Sequence, residues 1–162
     1  MAKMFLMTGP CGAGKSTLAK ELARERDLRL LAIDDFYAAF FNSELIHEHR
    51  DEVWEAFSFA IRAAMEDDID ILIDTNAPSS ADRNWFIERF PDFDFNLVIV
   101  EAPKDLCFEN NRNRSRTIPD DEMDMIFDRL EPITEDEMEK YSTVELYRNT
   151  DNTGVKFVKK LR

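Results

Sequence analysis

Short apolar segments alternate with amphipathic segments along most of the chain. Five apolar runs predict buried strands at residues 3–8, 28–33, 69–73, 97–100 and 144–147. Helical spacing of the apolar positions predicts helices at residues 15–27, 36–42, 44–67, 81–90, 103–112 and 120–130, with Ser80 as the N-cap of the fourth. The closing residues 154–162 are compatible with one further strand at a sheet edge. Because strands alternate with helices, the pattern predicts an α/β fold in which helices cover both faces of a parallel sheet.

Length, composition and charge narrow the class of protein. The 162 residues, 44% of them apolar and 34% charged, suit a single globular domain over residues 1–162. No apolar run approaches the roughly 18 residues of a membrane helix and no signal peptide is recognised, so we expect a cytoplasmic protein without a membrane partner. The net charge of −13 argues against non-specific binding along a nucleic-acid backbone, although it is compatible with a local basic site.

A glycine-rich segment at residues 9–16 matches the pattern G-x-x-x-x-G-K-[ST], between a predicted strand and a predicted helix. Glycines allow the backbone to turn its N–H groups toward phosphate oxygens, and the helix N-terminus adds its positive dipole end. We expect Lys15 to reach the outer phosphates and the Ser16 hydroxyl to ligate Mg²⁺. The segment therefore predicts a P-loop NTPase domain for a nucleoside triphosphate. Its predicted contacts come from Gly9, Cys11, Gly12, Ala13, Gly14, Lys15, Ser16 and Thr17.

Acidic residues stand at the predicted carboxyl ends of two strands, where parallel sheets bind their ligands. These residues are Asp34, Asp35 and Asp74. One carboxylate of the Asp34–Asp35 pair can take the proton from an acceptor hydroxyl, while the other caps the following helix. Asp74 suits the magnesium shell or the orientation of the substrate, and the alternative is a turn residue at the strand end. Asn76, two positions later, can add a hydrogen bond to the substrate.

The polar segment at about residues 110–120 contains three alternating arginines, Arg112, Arg114 and Arg116. In a chain with an excess of acid, three cations in this place predict a lid that closes over phosphates. The alternative is a set of solvated arginines at a helix C-terminus. Arg83, in the first turn of a predicted helix, stays open between a substrate contact and a pairing with Asp82 or Glu88.

Four motifs in a fixed order carry a family resemblance: GPCGAGKST, IDDFY, ILIDTNAPSSADR and NNRNRSRTIPDDEMDMIFDRLEP. Over residues 4–132 the chain resembles the 5′-hydroxyl polynucleotide kinases of bacteriophage and bacterial repair systems, and related small P-loop kinases. The resemblance implies a sheet of order 2-3-1-4-5 and ATP-dependent transfer to a hydroxyl, with ATP and Mg²⁺ bound. It implies that Asp34 is the general base. It also implies that Arg114, or else Arg112 or Arg116, contacts the donor phosphates.

One position departs from the family pattern on the acceptor side. The phage kinases carry an arginine that holds the acceptor's 3′-phosphate where this chain has Tyr37, which can stack on a base or donate one hydrogen bond. The predicted substrate contacts are Asp35, Tyr37, Asp74, Asn76 and Arg83. The leading acceptor is the 5′-hydroxyl of DNA or RNA, and the alternative is a metabolite, nucleoside or antibiotic. A non-catalytic nucleotide-binding module is less favoured, because it would leave Asp34 and Asp35 idle.

Overall fold

One mixed sheet organises the molecule. The computed structural model describes residues 1–41, 49–115 and 117–162. Within these ranges six strands are present: β1 (Lys3–Thr8), β2 (Arg29–Ala32), β3 (Ile71–Asp74), β4 (Asp94–Glu101), β5 (Thr143–Arg148) and β6 (Lys156–Lys160). They lie in the order β2-β3-β1-β4-β5-β6. The pairs among β1 to β5 are parallel, and β6 pairs antiparallel with β5. The predicted order of the first five strands and the edge strand near the C-terminus are thus confirmed.

The described part of the chain also contains seven helices: α1 (Lys15–Glu25), α2 (Ile33–Phe41), α3 (Arg50–Glu66), α4 (Ser80–Arg89), α5 (Lys104–Arg112), α6 (Asp120–Asp128) and α7 (Glu135–Met138). The predicted start of the long helix at residue 44 lies outside the described residues. The short α7 was not predicted, because a single turn is too short to produce helical periodicity; the Thr134 side chain caps it by accepting from the Glu137 N–H at 3.2 Å. None of the described helices has the length and apolar composition required to cross a lipid bilayer.

The N-terminus of α4 corrects one prediction. The cap is Ser79, one residue before the predicted Ser80. The Ser79 hydroxyl accepts from the Asp82 N–H at 3.1 Å, and the Asp82 carboxylate accepts from the Ser79 N–H at 3.1 Å. This reciprocal capping box requires an acid or amide three residues after the cap. Asp82 meets that requirement for Ser79, whereas the corresponding residue for Ser80 is Arg83.

Alternation along the strands sends side chains to two separate cores, one on each face of the sheet. Leu6 of β1 packs in the core that contains Phe57 of α3 and Phe86 of α4. The next residue, Met7, packs in the core that contains Leu18 of α1 and Cys107 of α5. The prediction that helices cover both faces is therefore confirmed. The same arrangement brings the residues that follow β1, β2 and β3 to one edge of the sheet.

Candidate active site

The loop between β1 and α1 lies tightly against the ends of the neighbouring elements. The Gly9 N–H donates to the carbonyl of Asn76 at 3.1 Å. A Cβ at Gly9 would lie 2.3 Å from the Val100 carbonyl oxygen, and a Cβ at Gly12 would lie 2.4 Å from that of Cys107. Both glycines also have positive φ, 152° and 79°. No side chain fits at either position, so the loop path depends on the motif's glycines.

Two asparagine side chains fix the outer side of this loop. The Asn110 amide donates to the Gly12 carbonyl at 2.8 Å, and the buried Asn149 amide donates to the Ala13 carbonyl at 3.3 Å. These amides come from α5 and from the end of β5. Because both amides donate to loop carbonyls, they hold the loop in one conformation from outside. Sequence analysis did not single out either asparagine.

Lys15, the first residue of α1, is 7% exposed, and its ammonium group donates to the Pro10 carbonyl at 2.7 Å. Burial lowers the pKa of Lys15, and the nearby Cys11, Asp74 and Asp34 oppose this shift. The side chain is thus a cation held in a poorly hydrated place. An anion that binds beside Lys15 therefore stabilises its charged form.

The predicted metal ligand, Ser16, contacts a second predicted site residue. Its hydroxyl donates to a carboxylate oxygen of Asp74 at 2.8 Å, so the start of α1 is joined to the end of β3. A hydroxyl and a carboxylate are oxygen donors of the kind that Mg²⁺ prefers, and Mg²⁺ ordinarily completes its shell with water and substrate phosphate oxygens. The residues present therefore fit a magnesium ion held by Ser16, with Asp74 orienting its surroundings.

A cavity of about 830 Å³ opens beside this loop. The predicted site residues that line it are Cys11, Gly12, Gly14, Lys15, Ser16, Thr17, Asp34, Tyr37, Asp74, Asn76 and Arg114. Four others, Gly9, Ala13, Asp35 and Arg112, are absent from the lining, as is Arg83. Arg116 lies outside the described residues. Phosphate-loop residues, the acidic strand ends and one lid arginine thus share a single cavity.

The two adjacent aspartates have different surroundings. Helix α2 begins at Ile33, directly after β2, so Asp34 and Asp35 both lie in its first turn. The prediction that one of them caps the helix is wrong, because an N-cap must precede the first helical residue. Negative charge in the first turn is still favoured by the helix dipole. Asp34 lines the cavity, whereas the exposed Asp35 does not.

Tyr37, one turn after Asp34, is 7% exposed. Trp54 of α3 lies close to this tyrosine's hydroxyl. Burial raises the pKa of Tyr37, and the charge of Arg50 opposes that shift. Tyr37 is therefore a neutral phenol of α2 beside the cavity, close to Trp54 and Arg50 of α3.

The predicted lid has a fixed base. Asn111 is fully buried; its amide donates to the Ile118 carbonyl at 2.6 Å, and its oxygen accepts from the Ile118 N–H at 3.0 Å. These two bonds close the segment that carries the arginines. Arg114 lines the cavity, whereas Arg112 pairs with Asp120 at 3.3 Å on the exposed surface. Of the two described arginines, Arg114 is the one placed to meet a ligand.

Arg83 is buried in the protein and does not line the cavity. Its guanidinium is fully buried and forms a two-point ion pair with Glu137, at 2.7 and 3.0 Å. It also donates to the carbonyls of Ala77, Pro78 and Glu131. Neither partner considered from the sequence, Asp82 or Glu88, pairs with it; Asp82 pairs with Arg129 at 2.8 Å. Arg83 braces the loop after β3 from behind, because its donors are used inside the protein.

The strand order, the phosphate loop after β1 and the serine–aspartate contact together define a P-loop site. A family model described as an AAA domain matches residues 4–134. The chain belongs to this family. The predicted resemblance to P-loop kinases is thereby confirmed, and the AAA domain has the P-loop kinase fold.

Solved structures of kinases share this AAA-domain fold, whereas no curated protein matches the chain. A sugar kinase from Janibacter sp. HTCC2649 is 17% identical with a TM-score of 0.68, over 91% of this chain and 86% of that one. A gluconokinase from Sinorhizobium meliloti 1021 is 12% identical with a TM-score of 0.63, over 90% of this chain and 82% of that one. A chain of the Pnkp1/Rnl/Hen1 RNA repair complex is 19% identical with a TM-score of 0.71, over 87% of this chain and 46% of that one. Likeness at these identities establishes the fold.

The cavity of this AAA domain has further walls that were not predicted from the sequence as part of the site. They include Arg50 and Trp54 of α3, Trp85 of α4, and Arg129, which follows α6. Trp54 was not predicted as a site residue, since a tryptophan at helical spacing has the same signal in a core and in a binding site. Arg50 lies outside the four motifs, and Arg129 lies within the last of them without an assigned role.

Proposed function

We propose that the protein is an ATP-dependent phosphotransferase that moves the γ-phosphate to a hydroxyl, with the 5′-hydroxyl of a polynucleotide as the leading acceptor. The observation that carries this proposal is the shared cavity of Lys15, Asp74 and Asp34. A donor site and a carboxylate that can accept a proton are open to the same space. A nucleotide-binding module without chemistry has no need for that carboxylate.

The donor half consists of the phosphate loop, Lys15, Ser16 and Arg114. Loop N–H groups and the dipole of α1 hold the β- and γ-phosphates, and Lys15 neutralises charge on the outer oxygens. Arg114 approaches from the lid and stabilises charge that develops during transfer. Magnesium bound at Ser16 would supply further charge neutralisation at the phosphates.

The acceptor half centres on Asp34. The acceptor oxygen attacks the γ-phosphorus as the bond from that phosphorus to the bridging β–γ oxygen breaks, and ADP leaves with that oxygen. The proton of the acceptor hydroxyl passes to the Asp34 carboxylate. Asp34 is exposed in the first turn of α2, where the helix dipole favours a negative charge.

Arg50 supports a nucleic-acid acceptor. The arginine that phage kinases use for an acceptor phosphate is Tyr37 in this chain. Arg50, at the start of α3, lines the cavity and interacts electrostatically with Tyr37. A guanidinium at this point can hold a phosphate of the acceptor strand in place of the missing arginine.

A small-molecule acceptor is the second candidate, and charge favours it. The protein carries a net charge of −13, and Asp51, Asp82 and Glu122 line the cavity in addition to the proposed base. Such a surface repels a long polyanion. A neutral sugar or nucleoside meets no such repulsion.

A transfer assay with γ-labelled ATP separates these acceptors. The purified protein is given a 5′-hydroxyl oligodeoxynucleotide, the matching oligoribonucleotide, and a panel of nucleosides and sugars, with a 5′-phosphorylated oligonucleotide as the matched control. The proposal predicts label on the 5′-hydroxyl oligonucleotides and none on the blocked control. Label on small alcohols alone would exclude a polynucleotide acceptor and leave the phosphotransferase in place.

A further inference from the structure

Both tryptophans of the chain lie on the acceptor side of the cavity. Trp54 projects from α3 and Trp85 from α4, and the two rings meet edge to face with centroids 5.4 Å apart. Each is half-buried: part of the ring packs on the core, and part is open to the cavity. The guanidinium of Arg89 lies over the Trp85 ring, 5.3 Å from its centroid, and the remaining exposed indole surface of both rings is available to a ligand in the cavity.

The aromatic wall, defined here as Trp54 and Trp85, is held rigidly. The ring centroid of Phe57 lies 5.5 Å from that of Trp54. The ring centroids of Phe86 and Phe90 lie 4.9 and 5.9 Å from that of Trp85. All three phenylalanines are buried. Because the rings are already ordered, a ligand that stacks on them loses little free energy to ordering.

The charges around the wall indicate which part of an acceptor it contacts. Asp51 and Asp82 line the cavity on the same two helices as the tryptophans. Arg50 and Arg129 line the cavity as well, and Arg129 pairs with Asp82 at 2.8 Å, so the surroundings of the wall carry charges of both signs. The indoles themselves are uncharged, and they offer their faces to a flat, uncharged nucleobase, while Arg50 can contact a phosphate of the same acceptor.

We infer that the aromatic wall is a stacking subsite for the terminal base of the acceptor, so that the enzyme selects acceptors bearing a nucleobase over simple sugars and alcohols. This inference rests on the proposed function, since it assigns the acceptor of the same site. The 5′-terminal base would lie against Trp85 and Trp54 while its hydroxyl meets Asp34. Stacking of this kind is tolerant of base identity.

Tryptophan fluorescence tests the subsite without requiring transfer. The probes are a 5′-hydroxyl tetrathymidylate and the same chain with an abasic residue at the 5′ position, titrated into the protein without ATP. We expect the first probe to quench the emission and the abasic probe to bind about tenfold more weakly. Trp85→Leu should weaken tetrathymidylate binding about tenfold, while Trp85→Phe, which keeps a ring, should restore most of it. Trp54 remains as the reporter in both variants.

The four outcomes separate this inference from the proposed function. Base-dependent quenching together with labelling of the oligonucleotide supports both. Base-dependent quenching without labelling supports the subsite and contradicts the transfer reaction. Equal binding and equal labelling of the abasic and base-bearing probes overturn the subsite and leave the kinase intact. If neither probe binds and neither is labelled, the stacking subsite and the proposed function are both overturned. Circular dichroism of Trp85→Leu shows whether a loss comes from misfolding, and the abasic probe on the unmodified protein decides the question in that case.

Discussion

The Ser16 hydroxyl and the Asp74 carboxylate are joined by a hydrogen bond of 2.8 Å, although 58 positions separate them in the chain. The contact ties the first turn of α1 to the end of β3 at the point where phosphates are proposed to bind. Partners that orient a metal ligand ordinarily raise metal affinity about 10- to 100-fold. We therefore expect Asp74 to contribute to magnesium binding at Ser16.

Asp74→Asn should raise the Mg²⁺ concentration needed for half-maximal transfer by roughly tenfold or more, because the amide is a weaker acceptor for Ser16 and for metal-bound water. The measurement is initial rate against free Mg²⁺ at saturating ATP. Asp70→Asn is the matched control: Asp70 lies before the amino end of β3 and accepts from the Lys3 N–H at 2.7 Å. An unchanged magnesium requirement in Asp74→Asn would remove Asp74 from the metal site.

Lys15 should make stability depend on pH. Burial lowers its pKa from the ordinary value of 10.5, so the folded protein binds this proton more weakly than the unfolded chain. Protonation below the folded pKa thus costs stability, and stability recovers as pH rises from that pKa toward 10.5. Lys15→Met should therefore raise Tm by about 2–4 °C near pH 7 without nucleotide, equivalent to roughly 1 kcal/mol.

The gap in Tm between Lys15→Met and the unmodified protein should narrow at alkaline pH, and the variant should lose the stabilisation that ATP gives. Differential scanning fluorimetry across pH, with and without ATP, measures both effects. Lys20→Met, on an exposed position of the same helix, is the control and should show neither. A pH-independent gap would mean that the charge of Lys15 does not cause the difference.

Arg114→Ala should lower kcat about 100-fold, since loss of one group that stabilises transition-state charge ordinarily costs that much or more. Arg112→Ala serves as the matched control. Its guanidinium pairs with Asp120 on the exposed surface, so its loss should change kcat less than about threefold. Steady-state kinetics with saturating ATP and acceptor compare the two. Equal losses in both variants would contradict the assignment of Arg114 as the lid contact.

Arg83→Met should destabilise the protein by about 3–5 kcal/mol, because it leaves the buried Glu137 carboxylate without its partner. The double variant Arg83→Met/Glu137→Met should recover much of that loss, since it removes both charges. Arg129→Met, which breaks the exposed pair with Asp82, should cost less than about 1 kcal/mol. Urea unfolding gives the free energies. A single variant as stable as the unmodified protein would show that the Arg83–Glu137 pair does not hold the loop after β3.

Sequence patterns predicted those parts of the structure that depend on residues close together in the chain. The phosphate loop follows from eight consecutive residues. The meeting of Asp34 and Asp74 in one cavity follows from strand ends that share an edge of a parallel sheet. The strand order came from the family resemblance, since alternation alone does not specify it.

Partners distant in sequence account for what was missed. The setting of Arg83 depends on Glu137, 54 positions later, within a helix of one turn that leaves no periodic signal. Neither Trp54 nor Trp85 was predicted as a site residue, because apolar spacing does not distinguish a covered ring from one that faces a cavity. The cap of α4 was misplaced by one residue because two serines stand side by side, and Asp82 decides between them.

The most direct test of the proposed chemistry separates transfer from ATP binding at Asp34. Turnover of a 5′-hydroxyl oligonucleotide and the Kd for magnesium-ATP are measured for Asp34→Ala, with Asp35→Ala as the neighbouring control that does not line the cavity. We predict that Asp34→Ala loses about 100-fold or more in kcat and keeps its Kd within about threefold, while Asp35→Ala keeps both. Loss of ATP binding in Asp34→Ala, or full turnover without this carboxylate, would contradict its role as the general base.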